Sequence, residues 1–248
     1  MQRVCDIIKN QQLTDRIYAI TLAADELGKC ALPGQFLHIR CGGNALLRRP
    51  ISICDAEGGN LDIVFEVKGA GTRWLAEKTS GQLDVLGPLG TGFSVAGKHI
   101  LLVGGGIGTP PLLYAARATQ GRTTAILGFG SADCVILQDQ FQAACDQVIL
   151  TTDDGSVGQP GQVTGPLERE LQTGAYDMVL TCGPKPMLRA VAEVAARYHV
   201  ACQVSMEERM ACGVGACLGC TVTMQNGDNL RACADGPVFN AGEVNWDV

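Results

Sequence analysis

Residues 99–116 read HILLVGGGIGTPPLLYAA: an unbroken apolar run enters a cluster of glycines and leaves as a helix-compatible segment opened by two prolines. A run without polar alternation has to be buried on both faces, the condition of a central strand in a parallel sheet. Gly104, Gly105, Gly106 and Gly108 allow a sharp backbone turn. Pro110 and Pro111 suit a first helical turn, whose free N–H groups favour an anion. Thr109 stands where the strict dinucleotide fingerprint has its last glycine. Alone, this loop fits either a phosphate site or a tight turn without a ligand.

The pattern repeats downstream. TTAILGFG, VILTTDDG and YDMVLTCG are further buried strands, and FQAACDQ, PLERELQ and PMLRAVAEVAARYHV are helical segments between or after them. Alternating strand and helix with short connections predicts a parallel sheet covered on both faces. Ligands of such sheets bind along the carboxyl edge, where Cys182, Gly183 and Pro184 of TCGPKPM fall. By spacing alone, Cys182 is an ordinary buried thiol after a strand.

Upstream of residue 98 the texture differs. RIYAITL, QFLHIR, ISICDA, LDIVFEV and QLDVLGP are short runs broken by glycine and proline, with a helical period only around Thr72 to Lys78. This predicts an antiparallel β-barrel. The expected fold class is therefore an all-β barrel joined to a parallel α/β domain, followed by a small cysteine-rich segment. The expected boundaries are 1–97, 98–200 and 201–248.

Composition excludes several roles. Of 248 residues 46% are hydrophobic, enough for a substantial core, and a net charge of −6 leaves no basic surplus for nucleic acid. No apolar stretch reaches the roughly 18 residues of a membrane span. The start, MQRVCDIIKNQQLTDRI, lacks a secretory pattern, so a cytoplasmic location without membrane attachment is expected. In that reducing compartment the 12 cysteines are thiols or ligands, not disulfides.

Four of them stand out. Cys212-x4-Cys217-x2-Cys220-x12-Cys233 has the spacing of plant-type [2Fe–2S] ligation. Structural zinc more often uses two C-x2-C units, and this stretch has one. Gly213, Gly215 and Gly219 permit a loop that wraps a cluster with backbone N–H groups aimed at sulfur. The segment of 48 residues is short for enclosing a cluster unaided, which implies that another protein covers one side.

In the barrel, RRPISI (48–53) alternates so that Arg49, Ile51 and Ile53 point one way, and VFEVKGAGT (64–72) ends in a glycine loop before a helix. Both stretches fit anion cradles, although Arg48 and Arg49 fit solvated surface charges equally well. Arg49-Pro50-Ile51-Ser52, Gly69-x-Gly71-Thr72, GPLGTGF, GGGIGTPP and TCGPKPM, in that order, resemble the ferredoxin–NADP reductase superfamily. SMEERMACGVGACLGC with RACADGPVF is most similar to the electron-transfer subunits of NAD-dependent (class B) dihydroorotate dehydrogenases. The resemblance covers nearly the whole chain.

It implies an FAD-binding barrel with contacts from Arg49, Pro50, Ile51, Ser52, Val64, Phe65, Glu66, Gly71 and Thr72. Glu66 replaces an expected basic residue and Phe65 a commoner tyrosine. It also implies an α/β domain that takes NAD(H) as a substrate, with Cys182 beside the nicotinamide. The implied partner is an FMN-containing catalytic subunit that oxidises dihydroorotate in pyrimidine synthesis, in a heterotetramer with two copies of each subunit. No catalytic acid or base is expected in this chain, since hydride transfer depends on placing nicotinamide over flavin. At the end of the second α/β strand LGFGSADCV offers Gly130, Ser131 and Asp133 but no arginine, which favours NADH over NADPH. The competing expectations are the reductase subunit of an NADH-dependent ferredoxin:NADP oxidoreductase or a sulfide dehydrogenase, and a redox sensor without catalysis.

Overall fold

The computed structural model describes residues 1–42 and 45–247. The first unit comprises β1 (Gln2–Gln12), β2 (Ile17–Ala23), α1 (Asp25–Cys30), β3 (Phe36–Ile39), β4 (Arg49–Glu57), β5 (Asn60–Glu66), α2 (Ala70–Ala76) and β6 (Gln82–Leu89). Its strands close an antiparallel barrel in the order β1-β2-β5-β4-β3-β6. Alternation sends Ile20, Leu22, Leu37, Ile39, Ile53 and Ile63 inward as one buried cluster. Closure removes the sheet edges that would otherwise be exposed.

The second unit runs through β7 (His99–Gly105), α3 (Pro110–Ala118), β8 (Arg122–Phe129), α4 (Gln138–Ala144), β9 (Gln147–Thr152) and β10 (Gln159–Pro160). It continues with α5 (Thr164–Leu171), β11 (Met178–Cys182), α6 (Lys185–Arg197) and β12 (Ala201–Ser205). The sheet order is β10-β9-β8-β7-β11-β12-β15, where β15 is Val238–Asn240. Every pairing from β10 to β12 is parallel. Leu101, Leu102, Val103, Ile126 and Leu127 are fully buried, as an unalternating strand core requires. The order changes direction at β7, between β8 and β11, the switch point where open sheets bind ligands.

The third unit is stitched to both others. The strand β12 pairs with β11, so the sheet extends past residue 200, and β15 then adds antiparallel to β12. A small hairpin of β13 (Thr221–Thr223) and β14 (Asn229–Arg231) lies between. Against the barrel, the Thr91 N–H donates to the Gly236 carbonyl at 2.6 Å, and Thr91 forms a parallel bridge with Pro237. Among the described residues no helix is long and apolar enough to cross a membrane.

Barrel and sheet are joined chiefly through α3 and β4. Arg117 on α3 pairs with Asp55 on β4, and the Tyr114 hydroxyl donates to the Ala31 carbonyl at 2.8 Å. The Asp55 side chain is only 7% exposed, while Arg117 is 39% exposed. Removing the cation strands a buried carboxylate, although water can reach part of the gap. Arg117→Met is expected to lower stability by about 1–3 kcal/mol. Urea unfolding followed by tryptophan fluorescence measures this; an unmoved midpoint would show that the pair contributes nothing.

Candidate functional site

One cleft of about 740 Å³ lies between the outer face of the barrel and the carboxyl edge of the sheet. From the barrel it is lined by Arg49, Pro50, Ile51, Ser52, Val64, Phe65, Glu66 and Thr72. From the sheet it is lined by Gly105, Gly106, Gly108, Cys182, Gly183 and Pro184. Barrel and sheet residues that are separate in sequence, the Cys182 loop more than a hundred positions beyond the barrel stretches, thus face each other across one space. A cleft of this size falls in the range of small-molecule and cofactor sites.

Arg48 and Arg49 part company. Arg48 turns back onto β6, donating to an Asp84 carboxylate oxygen at 2.8 Å and to the Asp84 carbonyl at 2.9 Å. Asp84 is held below the ordinary carboxylate range, its hydrogen bonds and the nearby arginine charges outweighing desolvation. Arg49 enters the cleft and has no carboxylate partner among the described residues; it donates to the carbonyls of Leu47 (2.6 Å) and Arg48 (3.3 Å). Its guanidinium lies across the start of α2, because a Cβ at Gly71 would come within 2.7 Å of Nε. That free cation beside a turn of open N–H groups fits a pyrophosphate.

The Thr72 hydroxyl is spent on the loop itself. It accepts from the N–H groups of Lys68 (2.9 Å) and Gly69 (3.2 Å) and donates to the Gly69 carbonyl, ordering the turn that Arg49 faces. Phe65 is buried and stacks on Tyr18 with ring centroids 6.1 Å apart. Glu66 pairs with Arg16 at 3.4 Å and Lys68 at 3.6 Å, so its charge is compensated before any anionic ligand arrives.

The sheet side is built by absence of side chains. A Cβ at Gly108 would sit 2.5 Å from the backbone of Cys182, and one at Gly105 or Gly183 would meet Met187 at 2.4 or 2.5 Å. At Gly106, with φ +52°, nothing lies within 4 Å, so its open side faces the cleft. Gly104 and Thr109 stand behind this floor: the buried Thr109 hydroxyl donates to the Gly106 carbonyl at 2.9 Å and packs on Gly104. Desolvation pushes the Cys182 thiol up to about 12, so it is a neutral wall at neutral pH. Phe36, Lys68, Ser205, Met206, Glu207 and Pro237 also line the cleft. Lys68 belongs to the predicted loop stretch of residues 64–72, whereas the other five had no role in the sequence reading and reach the cleft through strand pairing and the third unit.

At the far end, the four predicted ligand cysteines lie in two facing loops. Cys212 is within hydrogen-bond reach of Cys217, and Cys233 of Cys220. The N–H groups of Val214 and Ala216 point at Cys212 Sγ (3.4 and 3.3 Å), and that of Gly215 points at Cys233 Sγ (3.1 Å). The Cys233 N–H points at Cys220 Sγ at 3.4 Å. These donors, Val214 foremost, draw the Cys212 thiol down to about 6. Gly213 and Gly215 supply the positive φ angles of +72° and +79° that such a loop needs. Among the described residues no three His, Cys, Asp or Glu side chains close around a single-ion position. Two thiol pairs with backbone donors suit a two-iron core, which takes two sulfurs on each iron.

Arg231 and Asp235 hold the loops together. Arg231 makes a two-pronged pair with Asp235 (2.7 and 2.9 Å) and donates to the Gly215 carbonyl at 3.2 Å. Their i,i+4 spacing around Cys233 was the available sequence signal.

Comparison with known proteins agrees with this geometry. Residues 207–245 match the family described as the iron-sulfur cluster binding domain of dihydroorotate dehydrogenase B. Dihydroorotate dehydrogenase B (NAD(+)) electron transfer subunits are similar along almost the whole length. That of Caldanaerobacter subterraneus subsp. tengcongensis is 41% identical over 244 residues and that of Bacillus caldolyticus 42% over 253, with 96% of each chain covered in both cases. Among solved structures, an NADH-dependent reduced ferredoxin–NADP oxidoreductase chain superposes with a TM-score of 0.90 at 29% identity, covering 99% of this chain and 91% of that one. A ferredoxin reductase of carbazole 1,9a-dioxygenase shares the fold at a TM-score of 0.66 and 20% identity, over 81% of this chain and 66% of that one. On this identity and coverage, the chain belongs to the family of electron transfer subunits of dihydroorotate dehydrogenase B.

Proposed function

We propose that the chain passes electrons between a partner catalytic subunit and NAD(H), through a [2Fe–2S] cluster held by Cys212, Cys217, Cys220 and Cys233 and an FAD held in the barrel-side half of the cleft. The observation that carries this reading is the convergence of a free arginine, a glycine floor and four clustered thiols, three of them faced by backbone N–H groups, along one seam of the molecule. When bound, FAD supplies the exchange between two-electron hydride chemistry and one-electron iron–sulfur chemistry.

The chain's own residues bind, orient and exclude water. Arg49 and the open N–H groups around Gly71 receive the pyrophosphate, with Thr72 ordering their turn. Pro50, Ile51, Ser52, Val64 and Phe65 offer an extended strand surface for the ring system, and Glu66 contributes through its backbone while Arg16 and Lys68 hold its carboxylate. Gly105, Gly106 and Gly108 face Gly183 and Pro184, leaving a flat slot for the nicotinamide nucleotide. Cys182 borders that slot as a protonated thiol and moves no proton there. Gly104 and Thr109 keep the slot rigid from behind.

NAD(H) is favoured over the phosphorylated form by the acidic loop after β8. Asp133 lies there, the Ala132 N–H donates to Ser156 at 2.8 Å, and Ser156 in turn donates to Asp154. Those Ser156 bonds hold Asp154 below the ordinary carboxylate range, so it stays anionic and repels a 2′-phosphate.

The partner reading rests on the cluster's open edge. Cys217 is exposed, flanked by Val214 at 54% and Leu218 at 65% exposure, while Cys220 and Cys233 are buried. An FMN-containing subunit that oxidises dihydroorotate, covering this edge in an assembly of two copies of each chain, fits that asymmetry, as does a cytoplasmic setting with reduced cysteines. The units 1–97, 98–200 and 201–248 then divide the labour as flavin, nucleotide and cluster modules. The close superposition with an NADH-dependent ferredoxin–NADP oxidoreductase chain supports a second reading, a reductase for a different flavoprotein. Co-purification with the partner and assay of dihydroorotate-dependent NAD reduction separates the two.

Two substitutions probe the relay. Cys217→Ser is expected to abolish the visible cluster absorption while NADH still bleaches the flavin; normal electron delivery to the partner by that variant would refute the route. Arg49→Leu is expected to weaken FAD binding about 10- to 100-fold, as hydrogen bonds to a charged group are worth ~1.5–3 kcal/mol. Titration of flavin-free protein with FAD reads this directly, and an unchanged affinity would remove Arg49 from the site.

A further inference from the structure

Strand β3 carries a histidine that none of the binding roles above uses. His38 is fully buried, and neither ring nitrogen has a hydrogen-bond partner among the described residues. Asn10 and Thr151 each leave one buried side-chain atom unpaired; His38 leaves two. In either protonation state the imidazole has at least one ring N–H to donate. Two carbonyls face it, those of Arg48 and of Cys212, the first of the four cluster cysteines.

Strand alternation gives the placement its meaning. Leu37 and Ile39 point into the barrel core, so Phe36 and His38 share the outer face, about 7 Å apart along the strand. Phe36 lines the cleft proposed for the flavin, whereas His38 lies under the cysteine loop. The fit is tight: a Cβ at Gly213 would lie 2.5 Å from His38 Nδ1. Gly213 is thus required twice, by its φ of +72° and by the imidazole pressed against it.

Resting on the cluster assignment above, we propose that His38 is a positioning residue for the iron–sulfur loop: its ring N–H donates to the Cys212 carbonyl once the loop carries its cluster. The contact with Gly213 fixes how closely that loop sits to the flavin end of β3. His38 touches neither irons nor substrate. It acts through the first ligand's backbone, as outer partners of metal ligands do.

The test uses the full chain, reconstituted anaerobically with FAD, iron and sulfide. Wild-type protein is mixed with NADH, recording flavin bleaching, cluster reduction and the electron paramagnetic resonance spectrum of the reduced cluster. If wild type shows no electron arrival at a cluster, the carrier reading itself fails. If it does, His38→Phe, which keeps a ring but loses both nitrogens, is expected to shift the resonance and to slow flavin-to-cluster transfer about tenfold relative to flavin bleaching in the same sample. His38→Gln, which restores an N–H donor, is expected to recover most of both. A wild-type spectrum and step ratio in His38→Phe overturn the inference and leave the carrier reading standing. Should His38→Phe fail to retain a cluster, Gly213→Ala decides, since it pushes the intact imidazole from the other side. A wild-type spectrum and ratio there overturn the proposal equally.

Discussion

The structure turns on the seam where the third unit is sewn to the other two. Passing single electrons between a flavin and a cluster requires the two to be held close and in fixed orientation, and neither the barrel nor the sheet alone spans both. The antiparallel addition of β15 to β12 anchors the segment to the sheet, and the Thr91–Gly236 hydrogen bond anchors it to the barrel. Gly90 allows that second junction: at φ +77° its missing side chain leaves room for Pro237, which a Cβ would approach to 2.5 Å. With both stitches in place, the cysteine loop has no freedom to drift from the cleft.

The same economy governs the cleft. Where the loops after β7 and β11 meet, space is made by Gly108 against the backbone of Cys182 and by Gly105 and Gly183 against Met187. Glycine costs conformational entropy in the unfolded chain, and here that cost is offset by a floor flat enough for a planar ligand. Charge is handled with similar care. Glu66 and Asp84 each have cationic partners, whereas Arg49 keeps its charge uncommitted to any carboxylate among the described residues.

What could be read in advance follows from how local the determinants are. The parallel strands were legible because burial on both faces leaves an unbroken apolar run, as in HILLV. Five barrel strands were legible from alternation, but β1 was not: only Cys5 and Ile7 of its 11 residues are buried, so no period shows in QRVCDIIKNQQ. Helix α1 was missed because it is six residues long and holds Gly28, retained since a Cβ there would meet Gly59 at 2.8 Å. The segment after residue 200 was marked only by its cysteines, although ACQVS is a strand of the main sheet; three- and five-residue strands carry too few residues to show alternation. Of the cleft, the glycine loops and the Arg49 strand announced themselves by motif, whereas Phe36, Ser205 and Met206 arrive by tertiary packing and leave no mark in linear order.

A chain with 12 thiols must also ensure that iron assembles on the right four. Burial does part of this. Desolvation raises Cys5, Cys41, Cys54, Cys145 and Cys202, which keeps them protonated and poor ligands. Cys182 joins them, so a thiol bordering the nucleotide slot does not compete for metal. At Cys212 the balance reverses, because the N–H groups of Val214 and Ala216 face its sulfur, whereas the buried Cys233 is raised to about 11 by desolvation despite the Gly215 N–H. The donors at Cys212 favour its thiolate before metal arrives, and they would remain to hydrogen-bond the ligated sulfur afterwards. Spacing tells which cysteines can reach one cluster; the backbone N–H groups at Cys212 show which of them is ready to take the first iron.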